Sequence, residues 1–123
     1  MTGSLPPEKP LRWVGSSFKD FCELPQPVQK EMGFALHLAQ VGDKHPHAKP
    51  LKGFGGAGVL EIVTSKQGDT FRAMYTVRFA DAVYVLHAFQ KKSKSGRETP
   101  HAEMELVERR LKEAEIIAKG ERK

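Results

Sequence analysis

VLEIVTSKQGDTFRAMYTVRFADAVYVLHAFQK, Val59 to Lys91, is the stretch that decides how this chain folds. VLEIVTSK, TFRAMYTVRFA and AVYVLHAFQK are each rich in β-branched and aromatic residues, and turn residues separate them at Gln67-Gly68-Asp69 and Ala80-Asp81. Three strands in an antiparallel meander are expected. In the middle strand Phe71, Ala73, Tyr75, Val77 and Phe79 alternate with Arg72, Met74, Thr76 and Arg78. Successive side chains point to opposite faces, so one face is expected to be core and the other to carry the two arginines. The third strand is apolar on both faces, which fits an interior position in the sheet.

Upstream, DKHPHAKPLKGFGGAG (Asp43 to Gly58) is rich in Gly, Pro and His and is expected to be a loop. Before it, Val28, Met32, Ala35, Leu36 and Ala39 form a helical stripe that ends at Gly42. Pro25 and Pro27 separate that helix from a shorter one, which Ser16 or Ser17 is placed to cap and which carries Phe18, Phe21 and Cys22 on one side. LRWV, Leu11 to Val14, is a short strand. Downstream, Thr99-Pro100 starts a C-terminal helix with a buried stripe of Met104, Val107, Leu111, Ala114 and Ile117. Glu103 and Glu105 suit the positive end of that helix dipole. The expected architecture is α+β: an N-terminal strand and helical hairpin, the meander, and a last helix. One domain covers residues 11–119, with a Pro-rich arm at 1–10 and a tail at 120–123.

A chain of 123 residues is long enough for one core, and 39% hydrophobic with 28% charged residues is the balance of an ordinary globule. No apolar run approaches the ~20 residues of a membrane span, and MTGSLPPEKP lacks a hydrophobic signal core. The lone Cys22 has no partner for an internal disulfide. A cytoplasmic location is expected. The formal charge of +5 is unevenly placed: residues 43–97 hold ten Lys or Arg against four acids. Such a segment suits a polyanion, or else serves as a solubilising face.

Several chemistries drop out. Gly53-x-Gly55-x-x-Gly58 spells a dinucleotide-binding pattern, but it follows a loop and opens a strand, whereas the motif needs a strand before it and a helix after it. His45-x-His47 has only Asp43 nearby, so its metal-ligand set is incomplete. The chain contains neither a GxSxG elbow nor a P-loop. Cys22 is expected to be buried rather than nucleophilic. No metal and no cofactor are expected.

Cations remain. Lys49 and Lys52 precede the first meander strand, Arg72 and Arg78 share a face of the second, and Lys91, Lys92 and Lys94 end the third. Gathered at one edge of the sheet they would make a basic concavity. Cleaving RNA through its own 2′-hydroxyl needs a proton acceptor, cations to hold the phosphorane, and a proton for the leaving oxygen. Glu61 is read either as a general base or, preferentially, as the partner of Arg72 across the hairpin. His87 is read either as a proton carrier or, preferentially, as a hydrogen-bonded sheet residue.

KPLKG, GVLEIV, FRAMYTV, VLHAFQKKSKSG and the TP-initiated last helix, in that order, resemble the phage-derived HigB-like branch of the RelE/ParE toxin superfamily over residues 11–118. The resemblance implies a RelE-like fold and the toxin half of a type II toxin–antitoxin pair. Its RelE-like members are ribosome-dependent endoribonucleases that cut mRNA. It further implies that Lys52 and Arg72 bind the scissile phosphate and that Lys91 and Lys92 belong to the basic segment after the last strand. The implied partners are a small helix-turn-helix antitoxin, the ribosome and mRNA. The chain departs from YoeB-type relatives: Lys49 stands where they have Glu, their terminal His-Tyr pair has no counterpart, and Val63 occupies an often basic position. The general base therefore stays open among Lys52, Glu61 and His87, in that order. Two other functions fit the same resemblance and charge: a ParE-like gyrase inhibitor, and a nucleic-acid-binding module without toxicity.

Overall fold

The computed structural model describes residues 8–54, 56, 58–91 and 101–121. Lys92, Lys94, the Thr99-Pro100 helix start and most of the N-terminal arm lie outside the described residues. In chain order the elements are β1 (Leu11–Trp13), α1 (Ser17–Cys22), α2 (Gln26–Gln40), β2 (Ala48–Pro50), β3 (Val59–Lys66), β4 (Asp69–Thr76), β5 (Val83–Lys91) and α3 (His101–Glu121). The strands form one mixed sheet in the order β1-β5-β4-β3-β2. The fold is the expected α+β arrangement.

The meander β3-β4-β5 is its centre. Lys66 pairs with Asp69 around Gln67 and Gly68, whose φ values are 52° and 86°. Two consecutive positive φ values make the tight turn whose twist matches the flanking strands. The sheet is extended on both sides. β1 runs parallel to β5, and β2 runs antiparallel to β3. β2 lies inside the stretch expected to be loop. It is a three-residue edge strand that ends in Pro50, where a missing N–H costs no ladder bond.

Both faces of the sheet are covered, so the face expected to carry the two arginines is packed as well as the core face. On one side Val28, Met32, Ala35, Leu36 and Ala39 of α2 pack on Ile62, Phe71, Ala73, Tyr75 and Val85. On the other, Val107, Ala114 and Ala118 of α3 pack with Leu51, Val59, Met74, Tyr84 and Leu86. Arg72 is therefore buried, whereas Arg78 is exposed. The difference arises because β4 stops at Thr76 and not at Ala80. The Val77 N–H still donates to Gly58 O at 3.0 Å in the ladder register, and the chain leaves the strand after it, where the Arg78 N–H donates to Thr76 Oγ1 at 3.1 Å. Phe79 then packs edge-on against Tyr84 on the α3 side, not with Phe71 and Tyr75.

Two helix faces also differ from expectation. Cys22 is exposed, because the six-residue α1 turns Ser17 and Phe21 inward and ends at Cys22. Phe18, half exposed, meets the edge of Trp13 at 5.0 Å. On α3 the buried stripe ends at Ala118, and Ile117 is 39% exposed. The eleven residues from Val107 to Ala118 make about three turns and return to the same azimuth, whereas Ile117 lies about 80° away from it.

Candidate functional site

Pairing register places several of the expected residues on the face of the sheet that looks toward α3. Arg72 and Met74 share a side of β4 by alternation, and Met74 packs in the α3 core. Directly paired residues share a face. Lys49 pairs with Glu61, Glu61 with Met74, and Met74 with His87, so these four form one row across the sheet. In the next rows Val63, Arg72 and Phe89 are opposite one another, then Ser65, Thr70 and Lys91.

His87 reaches this face through a backbone irregularity. Met74 pairs with His87 but Tyr75 pairs with Val85, which leaves Leu86 as an extra residue. Such a bulge shifts the alternation by one. Leu86 and His87 both turn toward α3: Leu86 packs in its core and His87 Nε2 lies 2.5 Å from Glu103 Oε1. The Leu86 carbonyl accepts a hydrogen bond from Arg110 Nη1 at 2.9 Å, and Arg110 Nη2 donates to Ser16 Oγ at 2.9 Å. A charged residue of α3 thus ties the bulge to the N-terminus of α1.

Apart from the exposed Lys49, the charged groups named on this face are largely buried and each is engaged. Arg72 Nη1 and Glu61 Oε2 form a tight ion pair whose side chains are 9% and 14% exposed. They sit diagonally across the β3–β4 ladder, as Glu61 is opposite Met74 and Arg72 opposite Val63. His87 is 6% exposed; its ring stacks on Phe89 with centroids 4.7 Å apart, and its Nδ1 meets no hydrogen-bond partner among the described residues. Lys91, the last residue of β5, is 8% exposed and also has a partner. Lys49 stands exposed at the open edge of the same row. Away from bulk water each of these interactions is stronger, and an unmatched charge costs more.

Other expected residues lie apart. Lys52 is exposed in the turn after β2 that also contains Gly53, whose Cα side faces Met104 of α3. Arg78 lies past the end of β4, with its guanidinium 5.4 Å from the Phe79 ring centroid. Thr70 and Lys91 mark the opposite end of the strand, on the order of 20 Å away along β4. Lys92 and Lys94 lie outside the described residues. His45 and His47 have ring centroids 5.2 Å apart, and each is otherwise engaged: His45 with Phe34, and His47 with Glu31. On the α2 face, burial pushes the Tyr75 hydroxyl up to about 12.

Glu103 and Arg110 were not foreseeable as neighbours of His87 and Leu86. Their helical positions suggest a dipole acid and a solvated cation, and only the bulge in β5 brings them to the strand.

The family model described as phage-derived protein Gp49-like (DUF891) matches residues 19–112. That span contains Lys49, Lys52, Glu61, Arg72, His87, Lys91 and Glu103. No curated protein and no solved structure matches the chain.

Proposed function

Since the chain belongs to the phage-derived Gp49-like family, a toxin-like family, we propose that it is the toxin of a type II toxin–antitoxin pair and acts as a ribosome-dependent mRNA endoribonuclease. The observation that carries this reading is the ion-paired Arg72 on a sheet face shared with Glu61, His87 and Lys91. Burying that much charge costs folding free energy, and phosphate chemistry gives a reason to keep it.

In this reading Arg72 binds the non-bridging oxygens of the scissile phosphate, with Glu61 holding its guanidinium in orientation. Glu61 is then a partner of the arginine and not the proton acceptor. Lys91 adds positive charge where the pentacoordinate phosphorane gathers negative charge. The exposed Lys49 and Lys52 grip flanking phosphates, and mRNA presented in the ribosome supplies the substrate geometry. A small antitoxin silences the protein by covering this face or by preventing ribosome docking. The mixed sheet between a helical hairpin and a C-terminal helix is compatible with a RelE-like fold.

The test is induction of the full chain followed by mapping of mRNA 5′ ends. Codon-phased cuts are expected, and Arg72→Ala is expected to abolish both cuts and growth arrest. DNA damage without such cuts would replace this reading with gyrase inhibition. If Arg72→Ala and Lys52→Ala both arrest growth as well as the parent does, the phosphate-binding assignment is wrong.

A further inference from the structure

We infer that Glu103 is a positioning residue that holds His87 as its Nε2–H tautomer, leaving Nδ1 as the proton acceptor for RNA cleavage. This rests on the nuclease reading above and assigns the base that reading leaves open.

A neutral imidazole has one N–H and one lone pair, and the partner of one nitrogen decides which is which. A carboxylate 2.5 Å from Nε2 can only accept a hydrogen bond there. In a neutral ring that contact puts the proton on Nε2 and leaves the lone pair on Nδ1. Nδ1 is buried and has no hydrogen-bond partner among the described residues. A buried acceptor of this kind is uncommon in a folded protein and calls for a reason. A substrate hydroxyl supplies one, once binding displaces the side chains that cover Nδ1.

Position supports the role. His87 is opposite Met74, and Arg72 is two residues along β4, so the two are diagonal neighbours on one face. Diagonal pairs stand about 7 Å apart at their backbones, which long side chains span. A phosphate held by Arg72 and the adjacent 2′-hydroxyl fit that separation. The ring is braced by Phe89 on its face and Glu103 at Nε2, and the bulge at Leu86 aims it to this side. Of the other two candidate bases, Glu61 is engaged by Arg72, and Lys52 lies in an exposed turn.

The step balances without a cofactor. The 2′-hydroxyl gives its proton to His87 Nδ1 as its oxygen bonds to phosphorus. The bond from phosphorus to the 5′ oxygen breaks, that oxygen takes a proton from water, a 2′,3′-cyclic phosphate remains, and protonated His87 returns its proton to the hydroxide so formed.

The test uses the full chain with ¹⁵N-labelled histidine and a defined mRNA programmed on ribosomes. The His87 resonance, identified by its loss in His87→Gln, is expected to show a protonated Nε2 and an unprotonated Nδ1. Glu103→Ala is expected to mix the tautomers and slow cleavage about 100-fold or more, the scale of one proton-transfer group, with circular dichroism unchanged. Glu103→Gln keeps an oxygen acceptor for Nε2–H and is expected to retain the tautomer and cleave at least about tenfold faster than the alanine variant. A wild-type ring protonated at Nδ1 overturns the inference. So does an alanine variant that cleaves like the parent, or a glutamine variant that keeps the tautomer but cleaves no faster than alanine. If the parent leaves ribosome-bound mRNA intact, the nuclease reading fails, and the acceptor role of Nδ1 with it. The tautomer spectrum still decides separately whether Glu103 pins the ring.

Discussion

Arg72 and Glu61 are worth more as a pair than either is alone. Removing one partner of a buried ion pair strands the other charge, at a cost of about 3–5 kcal/mol. Arg72→Ala and Glu61→Ala are each expected to destabilise the fold strongly, and the double variant to recover part of the loss. A urea-melt double-mutant cycle checks this, with a coupling of about 1–3 kcal/mol expected. Additive losses would mean that the pair contributes nothing as a pair. Tyr75 offers a cleaner pH experiment. Burial raises its hydroxyl from 10.0 to about 12, so between those values the folded chain keeps a proton that the unfolded chain loses. Stability must then fall as pH rises through that window, since the state binding fewer protons gains. The loss reaches on the order of 2–3 kcal/mol at its alkaline end. Tyr75→Phe is expected to remove that part of the slope in denaturation curves taken from pH 9 to pH 12. The hydroxyl has no hydrogen-bond partner among the described residues, so the variant should lose little stability at neutral pH.

At the scale of elements, the meander and α2 were legible in the sequence because their periods are undisturbed over many residues. Val28, Met32, Ala35, Leu36 and Ala39 are all buried. What could not be read was local and non-periodic. β2 is three residues long and includes a proline, so its pairing with β3 decides it and its composition does not. The bulge at Leu86 changes which face His87 occupies without leaving any mark in an apolar run. Glu61 and Arg72 were legible as a pair because both lie in regular alternation on neighbouring strands. The Glu103–His87 contact needed the bulge and the docking of α3, and neither was visible. The α3 stripe carries its own test. Ala118 is 1% exposed and Ile117 is 39% exposed. Ala118→Glu is expected to destabilise by several kcal/mol through a buried, unpaired carboxylate, and Ile117→Glu by less than about 1 kcal/mol. Thermal melts distinguish the two, and the reverse order would mean that α3 sits rotated on the sheet.

For the whole molecule the question is whether net charge or its placement draws the protein to RNA. Ten of its cations fall in residues 43–97, and Lys49 stands exposed beside Glu61 on the α3-facing side of the sheet. Lys30 is also exposed, but it lies on α2, which covers the opposite face. Lys49→Gln and Lys30→Gln remove the same charge, so any effect of net charge alone is equal in both. Phosphate contacts release counterions, and affinity falls with salt by a slope of about −0.7 to −0.9 per contact. Ribosome binding of the full chain, measured by sedimentation between about 50 and 200 mM salt, is expected to weaken steeply. Lys49→Gln should lower the magnitude of that slope by about 1, and Lys30→Gln should leave it as in the parent. Equal slopes in the two variants would mean that the protein meets the ribosome through diffuse charge and that the α3-facing side holds no privileged contact.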